Sequence, residues 1–492
     1  MNNTTNWVAL TLAVAFLTLL TLLTTGCGNS NGSSDGDDGV FLTDTGQDSL
    51  VAQMRFVNAI PDSPVIEMLH EGTNSARITE TLTFGASTNR NNFVTGTFVF
   101  DFSFVNGAGD RITLYENDQF ELADGNEHSF IMAGSLNDAR LIRLDNPEFL
   151  VGLDDDTADV DPQIQFIHTA VGVGDIDFYL TEQGADITQA TPLATLAFGE
   201  NSAIFDTVAT DTAQLRAFEA GSSANLLFDS GATTISRTTR TLILAANYFG
   251  PLAEGASAVE LRRLGQTPLA LENASQPATL RIHNVIADQQ AIDVYLGDRL
   301  GAPDIAAVEF STRTDELQLA AQTTDLSITA AGDVANVLLE MTDLQLTGGF
   351  RTTVYLGGDS SVVSDSTDAV PVTNVTSEFV LESNREVLEG SPIRLFNGSS
   401  SLSALSVFLL RPGQDLANTA PIMLAPGGYT GVPVFTGDFD LVVVDTSNNS
   451  TIIGPERITP TAGTALNIVI RDTFGGTSPV QVDLVEEATQ GL

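Results

Sequence analysis

The sequence predicts an all-β chain: four tandem antiparallel β-sandwich domains behind an apolar leader and a flexible tether. Three observations predict it. A strand-like opening recurs as Met54-Arg55-Phe56-Val57-Asn58-Ala59, Ile164-Gln165-Phe166-Ile167-His168-Thr169, Leu280-Arg281-Ile282-His283-Asn284-Val285 and Ile393-Arg394-Leu395-Phe396-Asn397-Gly398. Counted from the second residue of each, the copies start 110, 116 and 113 residues apart, which is the size of a domain and not of a solenoid unit. Within each copy, short apolar runs alternate with Gly, Asn, Asp and Ser turns at a spacing of about 8–12 residues, and no long helical periodicity occurs outside the N-terminus.

Each copy carries the same landmarks in the same order. A second strand follows the first turn: Val65-Ile66-Glu67-Met68-Leu69, Ile176-Asp177-Phe178-Tyr179-Leu180, Ile292-Asp293-Val294-Tyr295-Leu296 and Leu405-Ser406-Val407-Phe408-Leu409. It is β-branched and aromatic material with one charged residue that alternation would place on the outer face. Asn58, His168, Asn284 and Asn397 stand near the first strand's exit, where Asn suits a turn by bonding its own neighbours. A third landmark centres on Phe84, Phe198, Phe310 and Leu424, and a later strand begins near Phe130, Leu242, Thr353 and Asn467. Most copies close on an alternating strand such as Val259-Glu260-Leu261-Arg262. Frequent turns between short strands predict a sandwich of about seven strands per copy. Trp7 and Cys27 precede all four copies, so no tryptophan-and-disulfide core is available, and the 27 Phe are expected to fill that space.

The expected divisions are 1–26 as a leader, 27–47 as a tether, and repeats at 48–150, 160–264, 276–372 and 389–488.

The landmarks resemble those of the domain of unknown function 4397 family, whose members open with an Arg-Val-Val-His-Ala-like strand, a Pro/Asp turn and a Val-Asp-Val-Tyr-Val-like strand. Arg55-Phe56-Val57-Asn58-Ala59-Ile60-Pro61-Asp62-Ser63-Pro64 is similar, as are Gln165-Phe166-Ile167-His168 with Ile176-Asp177-Phe178-Tyr179, and Arg281-Ile282-His283-Asn284 with Ile292-Asp293-Val294-Tyr295. The fourth copy departs most, with Ser406 for the Asp and Phe408 for the Tyr. The resemblance implies an extracytoplasmic, immunoglobulin-like β-sandwich and carries no established activity.

Val8 to Leu23 is an uncharged apolar run of secretory-signal length. Leu23-Thr24-Thr25-Gly26-Cys27 then resembles the bacterial lipoprotein box, which makes Cys27 the candidate lipidation site and a membrane the implied partner. Thr24 at the third place before the Cys, and the absence of Lys or Arg from residues 1–7, depart from that pattern. The alternative is an ordinary signal peptide or an uncleaved anchor. Gly28 to Gly39 has no large apolar residue to bury and reads as a tether. Gly28 after the Cys resembles outer-membrane sorting.

The formal net charge is −43, and all 20 basic residues are Arg. Such a surface repels nucleic acid and excludes it as a partner class, and it hydrates well in salt. The absence of Lys removes Schiff-base chemistry and Walker-type phosphate loops.

No catalytic residue can be nominated. The four His (His70, His128, His168 and His283) lack metal-ligand spacing, and His168 shares a turn position with Asn58 and Asn397. Gly28-Asn29-Ser30-Asn31-Gly32 matches a nucleophile motif but sits in the tether, with neither the strand nor the helix that motif needs. Asp154, Asp156, Asp159 and Asp161 form the one candidate metal site, for Ca²⁺ held by hard oxygens between the first two repeats; a solvated linker is the default. The linkers Gly265 to Thr279 and Ser364 to Gly390 lack such a run. Asp177 and Asp293 read as outward, solubilising carboxylates. No cofactor is implied beyond that Ca²⁺. The expected function is that of a non-enzymatic, lipid-anchored envelope protein displaying sandwiches for adhesion or for binding a polysaccharide or protein. The alternatives are an envelope-polymer hydrolase and a structural stalk.

Overall fold

A computed structural model describes residues 51–492 apart from 72–75, 89–90, 107, 117–118, 147–161, 209, 236–239, 253–257, 265–268, 365–371, 403, 436, 462 and 476. Cys27 and the Asp154, Asp156, Asp159 and Asp161 run lie outside the described residues. Among those described, the regular structure is β-strand apart from three single 3-10 turns, at Leu136–Asp138, Ile187–Gln189 and Leu416–Asn418. No described helix is long and apolar enough to cross a membrane.

The all-β sandwich expected from the sequence is present, with the same wiring four times. In the fourth copy the strands are, in order, Ser391–Asn397, Leu405–Leu410, Ile422–Leu424, Tyr429–Phe435, Phe439–Asp445, Ser450–Ile458, Thr464–Thr473 and Thr477–Ala488. One sheet takes the fourth, first, seventh and eighth; the facing sheet takes the third, second, fifth and sixth. The other three copies follow the same order, with small additional strands. The framework therefore has eight strands where about seven were expected.

Pairing is antiparallel except at one place per copy. The first strand runs parallel to the seventh, as Arg55 opposite Ser129, Gln165 opposite Leu242, Arg281 opposite Thr353 and Arg394 opposite Asn467. Parallel neighbours need a long connection, and the chain supplies one by crossing to the facing sheet and back between these strands.

Alternation decides what fills each sandwich. Met54 and Phe56 point into the first core, where Phe56 stacks on Phe130 at 5.4 Å and meets Phe100 edge-on at 5.2 Å. Phe166 and Phe178 stack at 4.8 Å in the second. Phe was expected to fill all four cores, but the third is built mainly of Leu, Ile and Val, and Phe439 is the fully buried Phe of the fourth. Aliphatic side chains of similar bulk fill a sandwich equally well.

The side chains that alternate with these on the first strand face outward, yet they are buried. Val57, Ile131 and Leu144 of the first copy pack on Ile167, Leu244 and Leu264 of the second. Val285 and Tyr355 of the third pack on Phe396 and Val469 of the fourth. The sheets carrying the first strands thus meet face to face in two pairs. At the second seam the backbones touch: a Cβ on Gly357 would lie 2.6 Å from the Cα of Gly398, so Gly357 tolerates no larger residue without backbone movement.

The third copy was expected to end at 372, with Ser364 to Gly390 as linker. The strand Val372–Glu382 instead completes its first sheet, pairing from Arg351 opposite Glu382 to Ser364 opposite Val372. Its Thr, Asn and Ser residues lie on a half-exposed strand, where tertiary pairing overrides a loop-like composition.

Candidate functional site

The strand-exit residues close a turn in all four copies. Asn58 Oδ1 accepts from the Ile60 amide at 2.9 Å, Asn284 from Ile286 at 3.1 Å, and Asn397 from Ser399 at 3.2 Å. His168 does the same with Nδ1, accepting from Ala170 at 3.2 Å while Nε2 donates to Gly174 O at 3.0 Å. Burial lowers the His168 pKa, favouring this neutral form. His168 therefore replaces Asn as a turn former.

His283 lies on the outer face of the third copy's first strand, with neither ring nitrogen hydrogen-bonded. Burial, reinforced by the nearby Arg313 charge, takes its pKa down to about 4. His128 Nδ1 lies 2.7 Å from Asp145 Oδ1.

Asp177 and Asp293 are not solubilising. They are 5% and 6% exposed and act as turn acceptors. Asp177 takes the Gly221 amide at 2.8 Å and the Thr195 hydroxyl at 2.5 Å; Asp293 takes the Ala307 and Gly332 amides, both at 2.8 Å. Alternation placed them on the outer face correctly. It could not show that the neighbouring turns fold their N–H groups onto them.

Seven of the 20 arginines are buried among the described residues, several of them at joints between repeats. Arg55 pairs with Glu127 at 2.9 Å and donates to Leu264 O of the second copy at 2.9 Å. Arg281 bonds Glu382 of its own repeat and Glu487 of the fourth. Glu487 also meets Arg313 at 3.0 Å and Arg394 at 3.2 Å, while Glu382 accepts from Thr353 at 2.7 Å and Tyr355 at 2.8 Å. Although burial pushes it up, Glu487 is held down to about 2 by Arg281, Arg313 and Arg394. Glu382 is likewise burial-raised but held below the usual range by Arg394 and Arg281. Arg suits such joints because its planar fork satisfies several acceptors at once.

Among the described residues, a groove between repeats is a candidate ligand site. An open groove of about 810 Å³ lies where the second repeat meets the third. Ser230, Gly231, Ser275, Gln276, Gln318 and Ala321 are among the residues that line it. Glu272 is its single ionisable lining residue. The junction is fixed by the Ala274 amide on Asp229 O at 2.7 Å, the Asn273 amide on Gly348 O at 3.0 Å and the Tyr248 hydroxyl 2.9 Å from Gly349 O. The hydroxyls, amides and backbone edges of this groove can hydrogen-bond a neutral polar ligand. Sequence reasoning missed it because its walls come from two repeats and carry no motif. Among the described residues, no group of three His, Cys, Asp or Glu side chains is placed to hold a metal.

The fold defines an all-β protein built from two-layer sandwiches. Residues 52–179 match the family described as Domain of unknown function (DUF4397). No curated protein matches the chain. Among solved structures, the Bacillus anthracis TIE protein is similar over 91% of this chain and 73% of its own, at 9% sequence identity and a TM-score of 0.16.

Proposed function

We propose that this chain is a non-enzymatic cell-envelope protein, anchored through lipid on Cys27, that presents its sandwiches above a membrane and binds a neutral, hydroxyl-rich polysaccharide in the groove between the second and third repeats. The observation that carries the ligand class is the groove's lining: one carboxylate among hydroxyls, amides and small side chains, on a chain of net charge −43. A polyanion would meet a repulsive surface, and a cationic partner would find denser acid elsewhere. The lipoprotein-box resemblance at Cys27 supports the anchor, and Gly28 supports the outer membrane as its address. A non-enzymatic role is supported by the way the buried carboxylates Glu382, Asp177 and Asp293 are spent on arginines, hydroxyls and turn amides.

The test is a glycan and envelope-polymer array probed with residues 40–492, with and without Ca²⁺, beside a Ser275→Trp variant that fills the groove. Binding to neutral glycans, lost in the variant and unchanged by Ca²⁺, is the expected result. Binding that survives Ser275→Trp would remove the groove from the account. Turnover of a polymer, abolished by a single Asp or Glu substitution, would establish a hydrolase instead. For the anchor, a mass spectrum of the native protein is expected to show an acylated Cys27, and a free thiol there would exclude it.

A further inference from the structure

We propose that the first turn of the first repeat, residues 60–63, is a docking site for an Arg-x-x-Leu segment, and that Arg385–Leu388 fills it in cis as a clasp between the two pairs of repeats. The segment joins the third repeat to the fourth, yet its side chains end in the first. Arg385 Nη1 donates to Pro61 O and to Ser63 O, both at 2.9 Å. Its guanidinium lies 5.4 Å from the centre of the Phe84 ring. The Leu388 amide donates to Asp62 O at 2.9 Å, and the Leu388 side chain packs against the first repeat's core.

Both halves are built independently of each other. The turn is fixed from within the first repeat: Asp62 Oδ1 accepts the Leu136 amide at 2.7 Å, and the Ser63 hydroxyl donates to Ile60 O at 2.9 Å. The segment is fixed by the C-terminal tail: the Glu386 amide donates to Gln490 O at 2.7 Å and the Gln490 amide to Asn384 O at 2.6 Å. A preformed acceptor and a preformed ligand meet with little ordering cost.

The internal repeats show why a foreign side chain is needed here. The residue three places after the strand exit is Pro61, Val171, Ala287 or Ser400. In the second copy Asn247 seals it, donating to Val171 O at 2.9 Å and accepting from its amide at 2.8 Å. In the fourth, Asp472 accepts the Ser400 amide at 2.7 Å. Asn247 and Asp472 both lie two residues beyond the seventh-strand carbonyl that binds the residue after the strand exit (Ala245 O with Thr169, Ile470 O with Gly398). The same count from Met132 O and Leu356 O reaches Gly134 and Gly358, which have no side chain to offer. In those two copies the carbonyl of this residue is met from another part of the chain: by Arg385 at Pro61 O, and by the Gly475 amide at Ala287 O at 2.7 Å. Pro61 has no N–H, so only carbonyls are left to satisfy, and a guanidinium does that.

The test uses the soluble chain from residue 40 and a synthetic peptide spanning residues 383–390. In the Arg385→Met, Leu388→Ser double variant the site is vacated. The peptide is expected to bind that variant, and a peptide with Lys for Arg to bind at least about tenfold more weakly. The unaltered chain, its site filled, is expected to bind neither. A variant that keeps its far-UV circular dichroism yet binds no peptide overturns the proposal, as does equal binding to the unaltered chain. If the double variant fails to fold, Arg385→Lys keeps the charge and most of the stem. It is then expected to speed hydrogen exchange of the Leu388 amide severalfold while the Gly358 amide at the third–fourth seam is unchanged. Unchanged exchange at Leu388 overturns the proposal equally.

Discussion

Arg140 of the first repeat lies over the Phe198 ring of the second, 4.0 Å from its centre, and Arg262 of the second lies 5.5 Å from the centre of the Phe84 ring of the first. The two contacts are reciprocal: Phe84 and Phe198 are the same landmark in successive copies, and each is covered by an arginine from the other repeat. The fourth repeat's Arg471 repeats the contact over Phe310 of the third, at 5.0 Å. A duplicated module has thus become a pair whose halves cover each other.

That reciprocity sets the first prediction. Arg140→Met keeps the apolar stem and removes the cation, so it should cost about 0.5–1 kcal/mol, the scale of a cation–π contact whose arginine is exposed. Arg262→Met should cost a similar amount plus the loss of its pairing with Glu260. Urea midpoints followed by fluorescence would measure both, and no change in either would mean that the rings do not feel their arginines.

A second prediction concerns acid. The folded His283 pKa, about 4, lies below the ordinary 6.5. Between those values the unfolded chain binds a proton that the folded chain refuses, so stability falls as pH drops from 6.5 to 4 and is unaffected above 6.5. The full span corresponds to about 3 kcal/mol. Around the ring, Arg313 and Arg281 act with burial, while Asp483 and Glu382 oppose it. Glu487 and Glu382 are depressed carboxylates, so their stabilisation holds above the ordinary 4.5 and is lost below it. His283→Leu should therefore flatten the stability profile between pH 6.5 and 4.5 and leave the steeper fall below it in place.

Much of the fold was legible in the sequence, and the reason is local. The strand openings, the exits at Asn58, Asn284 and Asn397 and the Phe84 landmark each declare themselves within a few residues. What connects the copies was not legible. Arg55, Arg281 and Arg394 mark the opening strands, but partners lie far along the chain, 206 residues away for Arg281 and Glu487 and 209 for Arg55 and Leu264. Alternation shows which face a side chain takes and not what will cover that face, so Asp177 and Asp293 read as solvent-facing from the sequence alone. The strand Val372–Glu382 read as linker because its pairing, and not its composition, makes it a strand. The groove between Ser230 and Gln318 exists only once two repeats are docked.

Third, removing Glu382 should be costly. Its side chain is fully buried between Arg281 and Arg394. Glu382→Ala removes the more deeply buried of the two carboxylates that Arg281 and Arg394 share and leaves Glu487 alone to face both, an effect of about 3 kcal/mol. Thermal unfolding should show it as a large fall in midpoint, well beyond that of Arg140→Met.

The strand exit gives a fourth expectation. His168→Asn restores the residue that three other copies use and should stay within about 1 kcal/mol of the parent. His168→Leu leaves the buried Ala170 amide unsatisfied and should cost about 2 kcal/mol. Equal costs for the two would show that the turn does not depend on this acceptor.

The claim beneath all of these is that charged joints hold the repeats in fixed register. A double-mutant cycle between Arg281→Met and Glu487→Gln tests it most directly, since the two residues belong to different repeats and share one buried contact. A coupling of about 2 kcal/mol is predicted. Additive effects, with no coupling, would mean that the third and fourth repeats do not meet through this pair in solution.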